Sequence, residues 1–177
     1  MTEESRASLK KRVLFAVSED YYFITYNSLL LLARLKATSE EHPFLDHRRL
    51  AFLVEFVADP AAAAAATKPA GHTHDDVEIL RTAYARGLAR LPIVNRLVFA
   101  LEQKGVVRST KATEAGERNV FLAPPLDTLP FLGNDLFRAE RENIEKVRAH
   151  APQLRKSKLP TTLERFFRAH GVETWGF

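Results

Sequence analysis

The chain has no cysteine, so disulfides, thiolate zinc centres, iron–sulfur clusters and a nucleophilic thiol are excluded together, and a reducing compartment is expected. Glycine is scarce, at 7 residues, and no G-x-S-x-G, P-loop or G-x-G-x-x-G run is present to cradle a phosphate or expose a nucleophile. Long apolar runs are also missing. The two richest windows, Ser28–Leu35 and Leu50–Val57, are interrupted by Arg34 and Glu55 and fall short of the roughly 20 residues a membrane span requires. The opening Met1–Arg6 is acidic where a secretory leader would be basic, so a cytoplasmic protein without membrane attachment is expected. Neither sign of charge dominates: 26 Lys+Arg stand against 22 Asp+Glu, a net charge of +4, far below that of a dedicated nucleic-acid coat. What remains is an ordinary globular composition, 46% hydrophobic and 27% charged over 177 residues. That length suits one domain, or two small ones sharing a core.

The pattern is mostly helical. Asp20–Lys36 and Asp46–Val57 are apolar on nearly every side, with Asp20 and Asp46 as expected N-caps. A helix apolar all round has to be buried all round, which in so small a protein calls for a central position or a second chain. Residues 1–60 are therefore read as an N-terminal helical pair forming a partner or dimer surface. Residues 61–74, with Ala61–Ala66 followed by Pro69 and Gly71, lack large apolar anchors and read as a surface linker. Asp75-Asp76 opens an amphipathic helix with Val77, Leu80, Tyr84, Leu88 and Leu91 on one stripe. Pro92 suits the first turn of a second helix, ending at Gly105. Val106–Ser109 and Asn119–Leu122 read as paired strands. Helix, turn, helix, glycine and hairpin is the order of a winged helix-turn-helix, placed at 75–123. Residues 124–177 form a C-terminal helical extension: a helix capped by Asn134 or Asp135, with a seam of Leu136, Phe137, Ile144 and Val147, then a short helix opened by a Thr161–Glu164 capping box.

No constellation compels catalysis. His72, His74, Asp75 and Asp76 form the one metal-like cluster, but acidic residues at a helix start serve the helix dipole equally well. His42 and His47 lie beside Asp46, which is better used as a cap. The expectation is a non-enzyme with no cofactor and no metal. The helix before the hairpin carries Asn95, Arg96, Phe99, Glu102 and Gln103 on its outer face. Base readers rely on Arg, Lys, Asn and Gln, and phosphate attraction supplies most of the affinity. A formally neutral face centred on an aromatic fits a protein anchor better. Phe99, Arg96 and Gln103, together with Trp175 and Phe177 of the aromatic tail, are thus expected protein contacts. Arg108, Lys111 and Arg118 of the hairpin, and Arg155, Lys156 and Lys158 of the basic connector, are expected to touch DNA backbone at most in a supporting role.

The N-terminal helices with Phe44–Leu50, the overall length and the stretch Leu97–Val107 resemble the small middle components of bacterial ABC-three-component systems, including the Lamassu-type anti-phage operons. The resemblance implies a non-catalytic adaptor or regulatory subunit that binds a coiled-coil SMC-like ABC ATPase, an effector such as a nuclease, or both. It implies a hetero-oligomer, with a homodimer as the other possibility, and it assigns no catalytic residue. The residues leave a second reading open, a small dimeric winged-helix transcriptional regulator.

Overall fold

A computed structural model describes residues 21–112 and 116–175. Helix α1 occupies residues 21–34; the cap expected at Asp20 lies outside the described residues. Ile24 and Leu29–Leu32 of α1 are buried. Asp46 does cap the next helical segment. Its carboxylate accepts the backbone N–H of Arg48 at the head of a 3-10 turn, His47–Arg49, that runs on into α2, Leu50–Ala58. Every residue from Leu50 to Val57 is buried.

The surface linker expected at 61–74 is instead largely a core helix. At Asp59 the chain turns by 109° into α3, Pro60–Thr67. Asp59 accepts the Ala61 N–H at 2.8 Å, and Pro60, whose missing N–H has no role in a first turn, starts the helix. Ala62, Ala63, Ala65 and Ala66 are buried. Lacking large side chains, α3 approaches its neighbours closely, which the linker reading counted against it.

The helix-turn-helix expected at Pro92 is absent. One helix, α4, runs from His74 to Gln103 straight through Pro92. Thr73 and Asp76 close a reciprocal capping box at its start. Its buried stripe, Leu80, Tyr84, Gly87, Val94, Val98 and Leu101, with half-buried Leu91, keeps one phase across the proline. A turn would have reset that phase, and burial of a continuous stripe outweighs the roughly 3 kcal/mol a helix-interior proline costs. Gly105, at φ 68°, ends the helix as expected: its own N–H reaches Glu102 O and that of Val106 reaches Leu101 O, the paired bonds of a Schellman motif.

The hairpin forms from β1, Val107–Lys111, and β2, Arg118–Leu122, antiparallel with Val107 opposite Leu122 and Lys111 opposite Arg118. On the far side of β2, Phe44 makes a one-residue bridge with Val120, exchanging both backbone hydrogen bonds at 2.8 and 2.9 Å.

Three short 3-10 turns lead to α5, Arg138–His150. Asn134 accepts the Leu136 N–H, as its capping role required. Ile144 and Val147 are buried, but Leu136 is 78% exposed and does not join the seam. Helix α6, Leu159–Phe166, starts two residues before the expected capping box, which does not form. Thr162 is buried, and its hydroxyl accepts from Arg49 and donates to Lys158 O.

The four expected units are not separate: a single hydrophobic cluster spans Ile24 to Val172. The aromatic rings show how α2 is enclosed. Phe56 packs against Phe166 and Phe167, while Phe52 stacks on Tyr84 of α4 and meets Phe167 edge-on. Of the two ways to enclose an all-round apolar helix, a central position or a second chain, α2 takes the first, with α3, α4, α5 and α6 supplying its cover.

A buried polar knot fastens the C-terminal segment to this core. Arg49 is completely buried and donates to Leu45 O, Ser157 O, Leu154 O and the Thr162 hydroxyl, with its guanidinium 4.4 Å from the centre of the Phe44 ring. Burial lowers its pKa to about 9, so it stays charged at neutral pH. The Asp46 carboxylate accepts the Leu159 N–H at 3.1 Å and two bonds from Arg48. Burial pushes its pKa up, but Arg48 and the backbone donors outweigh that and hold it below the usual carboxylate value. On the opposite side of α2, buried Glu55 pairs with Arg86 at 3.3 Å and with Arg90, whose guanidinium lies over Phe23 of α1.

Candidate interaction surface

The last three turns of α4 and the hairpin are stitched into one unit. Glu102 accepts both the backbone N–H and the hydroxyl of Ser109, at 3.2 and 2.9 Å, and lies 3.6 Å from Arg118. Arg118 also donates to the Ser109 hydroxyl at 3.0 Å. His47 joins the unit to α2. Its Nδ1 faces the Arg118 backbone N–H at 3.3 Å and must accept there, so Nε2 carries the proton and donates to Asn95 Oδ1 at 2.8 Å. Burial holds the His47 pKa below its ordinary value, and the Asn95 hydrogen bond only partly offsets this.

The outward face of this unit is centred on Phe99, which is 60% exposed. Arg96 and Gln103 are exposed on the same helix. Between α4 and the hairpin a cleft of about 210 Å³ is lined by His47, Asn95, Val98, Phe99, Glu102 and Arg118. Asn95, read from sequence as an outward-facing amide, is committed to His47. Among the hairpin cations, Arg108 and Lys111 are exposed, and Arg118 is partly neutralised by Glu102. Lys111 and Arg118 are directly opposite across the strands, an unfavourable like-charge pair.

The expected contact set does not converge on one place. Trp175 is 68% exposed, but its backbone N–H is held by the Tyr84 hydroxyl at 2.9 Å. Tyr84 and Phe99 are separated along α4 by roughly 22 Å at 1.5 Å per residue. Phe177 lies outside the described residues. In the basic connector, Arg155 donates to Pro43 O while its own carbonyl accepts from Leu45, and Lys158 lies 3.6 Å from buried Glu117. Both serve the fold, leaving Lys156 as the exposed cation of that stretch.

The metal-like cluster is likewise divided. Asp76 turns back onto Thr73 and Lys68, which with the backbone N–H hold its carboxyl far below the usual range. His72 faces Ala65 O, and among the described residues no group of three such side chains is arranged to hold a metal ion. No single described helix is long and apolar enough to cross a membrane. No family model, curated protein or solved structure matches this chain.

Sequence reasoning missed the roles of Arg49 and Glu55, and it missed His150. The available signal was charge inside the greasiest stretch of the chain: Asp46-His47-Arg48-Arg49 and Glu55 are expensive to bury without partners.

Proposed function

We propose that the protein is a non-catalytic adaptor subunit that docks a protein partner on the Phe99 face. The observation carrying this reading is an aromatic 60% exposed at the mouth of a cleft, ringed by Arg96, Gln103, Glu102 and Arg118. Exposed aromatics within a polar rim anchor protein interfaces, and the surrounding charges are too evenly balanced for phosphate attraction to dominate. The end of α4, its glycine turn and the hairpin, widened by the Phe44 bridge, support a winged-helix-like module. The resemblance to ABC-three-component middle subunits makes a coiled-coil SMC-like ATPase, or its effector, the expected partner. Arg108, Lys111 and Lys156 are the cations left to touch DNA backbone in such a complex.

The test is affinity capture of the full chain from its native host, with Phe99→Asp as the matched control. A long coiled-coil ATPase recovered with the unaltered chain and lost with a folded Phe99→Asp chain is the expected result. A dimeric transcription regulator is favoured by one observation, the exposed Arg96 and Arg108 on the helix and hairpin. Protection of a discrete palindrome, abolished by Arg96→Ala, would establish that reading instead.

A further inference from the structure

A cavity of about 940 Å³ opens where the loop after α3 meets the end of α5 and the start of α6. It belongs to neither the Phe99 face nor the hairpin. Its walls bring together three imidazoles, His72, His150 and His170, and three cations, Lys68, Arg165 and Arg168, against one carboxylate, Glu164. The His72 and His170 rings stack with centroids 4.1 Å apart. His72 is fixed on the carbonyl end of α3, at Ala65 O. The Nε2 of His170 is buried with no hydrogen-bond partner among the described residues.

Two of the three cations are paired internally and one is not. Lys68 is bound to Asp76 at 2.6 Å and Arg168 lies 3.7 Å from Glu164, whereas Arg165 faces no carboxylate among the described residues. The like charges act on one another: burial and Arg165 hold His150 below its ordinary pKa, and burial with His72 and His150 does the same to His170. A concavity walled by the unpaired Arg165, a second arginine and three imidazoles suits an anion. Its volume lies in the range of roughly 300–1,000 Å³ typical of small-molecule sites, and Pro69, Pro160 and Ala169 provide apolar wall.

We propose that this cavity binds a small phosphorylated ligand of nucleotide size, its phosphate held by Arg165, Arg168 and the three imidazoles. Duplex nucleic acid fits less well, since backbone phosphates need a track of cations and these converge in a hollow. Bound phosphate favours the charged forms of His150 and His170, so binding takes up protons at those rings and tightens as pH falls.

Calorimetry and histidine NMR on the full chain test this, with inorganic phosphate, ATP and a DNA duplex as separate probes. Saturable ATP binding, tighter at pH 6 than at pH 7.5, is expected, with phosphate moving the His150 and His170 resonances. Arg165→Gln should weaken ATP binding roughly tenfold or more, the loss of one charged hydrogen bond. Glu164→Gln, at an exposed position, should tighten it and guards against a folding defect in the first variant. Histidine resonances unmoved by about 10 mM phosphate or ATP, a concentration that detects even millimolar affinity, would overturn the proposal. So would ATP affinity indifferent to Glu164→Gln, or binding of the duplex alone.

Discussion

Replacing Pro92 by alanine distinguishes a continuous α4 from two helices that meet at that residue. Pro92 is exposed, so the exchange removes little core contact. Inside a helix, proline gives no N–H to the carbonyl four residues back, here Leu88, and its ring crowds that oxygen, at a cost of roughly 3 kcal/mol relative to alanine. Local adjustment has absorbed part of this. Alanine also frees the unfolded chain, which offsets about 0.4–1 kcal/mol. The expected net gain is about 1–2 kcal/mol, or a rise in Tm of about 2–8 °C for a chain of this length. At the first turn of a separate helix the missing N–H would be harmless and the fixed φ helpful, and alanine would then be neutral or destabilising. Urea unfolding at unchanged m-value measures the difference, and hydrogen exchange at the new residue-92 amide reports whether it is bonded. A Pro92→Ala chain that is no more stable, or whose new amide exchanges freely, refutes the unbroken helix.

Gly87 carries an opposite expectation: alanine is usually worth about 1 kcal/mol over glycine in a helix, yet here a Cβ would lie under 3.0 Å from three ring atoms of buried Phe52. Gly87→Ala should therefore destabilise, by about 1–3 kcal/mol from overpacking less the propensity gain, and adding Phe52→Leu should recover part of the loss; a Gly87→Ala chain with a raised urea midpoint would contradict the packing described. Arg49→Met should cost about 3–5 kcal/mol, since three carbonyls and a hydroxyl lose a buried charged donor, and Arg49→Lys should not restore it, because one ammonium cannot span the fork; a loss under about 1 kcal/mol would show the knot to be dispensable. His47, His150 and His170 bind protons less readily folded than unfolded, so the unfolded chain gains protons first and stability falls as pH drops below about 6.5, with Asp46 adding a further loss only below about pH 4. In phosphate-free buffer, His47→Gln should make the slope of unfolding free energy between pH 7 and pH 5 shallower, and an identical slope would exclude a contribution from His47.

Local rules were legible wherever one residue decides a local geometry. Asp46 as a cap, Gly105 as a helix stop and Asn134 before α5 follow from capping and left-handed backbone preferences alone. Pro92 misled because proline is a good first residue as well as a poor interior one. The decisive clue was collective: Leu80, Tyr84, Gly87, Leu91, Val94, Val98 and Leu101 form one stripe whose phase does not change at the proline. The alanine helix was illegible for a related reason, since small side chains reveal close approach only when their neighbours are known. At the candidate surface, sequence could place Phe99 and Arg96 outward on a helix. It could not see that Asn95 is tied to His47 or that Trp175 sits beside Tyr84, because those partners are 48 and 91 residues away. The histidine cavity depends on still longer-range placement of loop and terminus.

The Arg49 knot also sets an order of events during synthesis. Its partners, Leu154, Ser157 and Thr162, lie 105 to 113 residues further along the chain, and Phe56 awaits Phe166 and Phe167. Until those residues leave the ribosome, the apolar helix α2 has no lid, and a charged guanidinium destined for the interior has only water to bind. At roughly 5–20 residues per second that interval lasts about 5–20 s, long enough for chaperones to engage α2. Chains ending before Phe166 would expose an unfinished core, so the segment from Leu154 to Phe167 acts as the step that commits this protein to being folded.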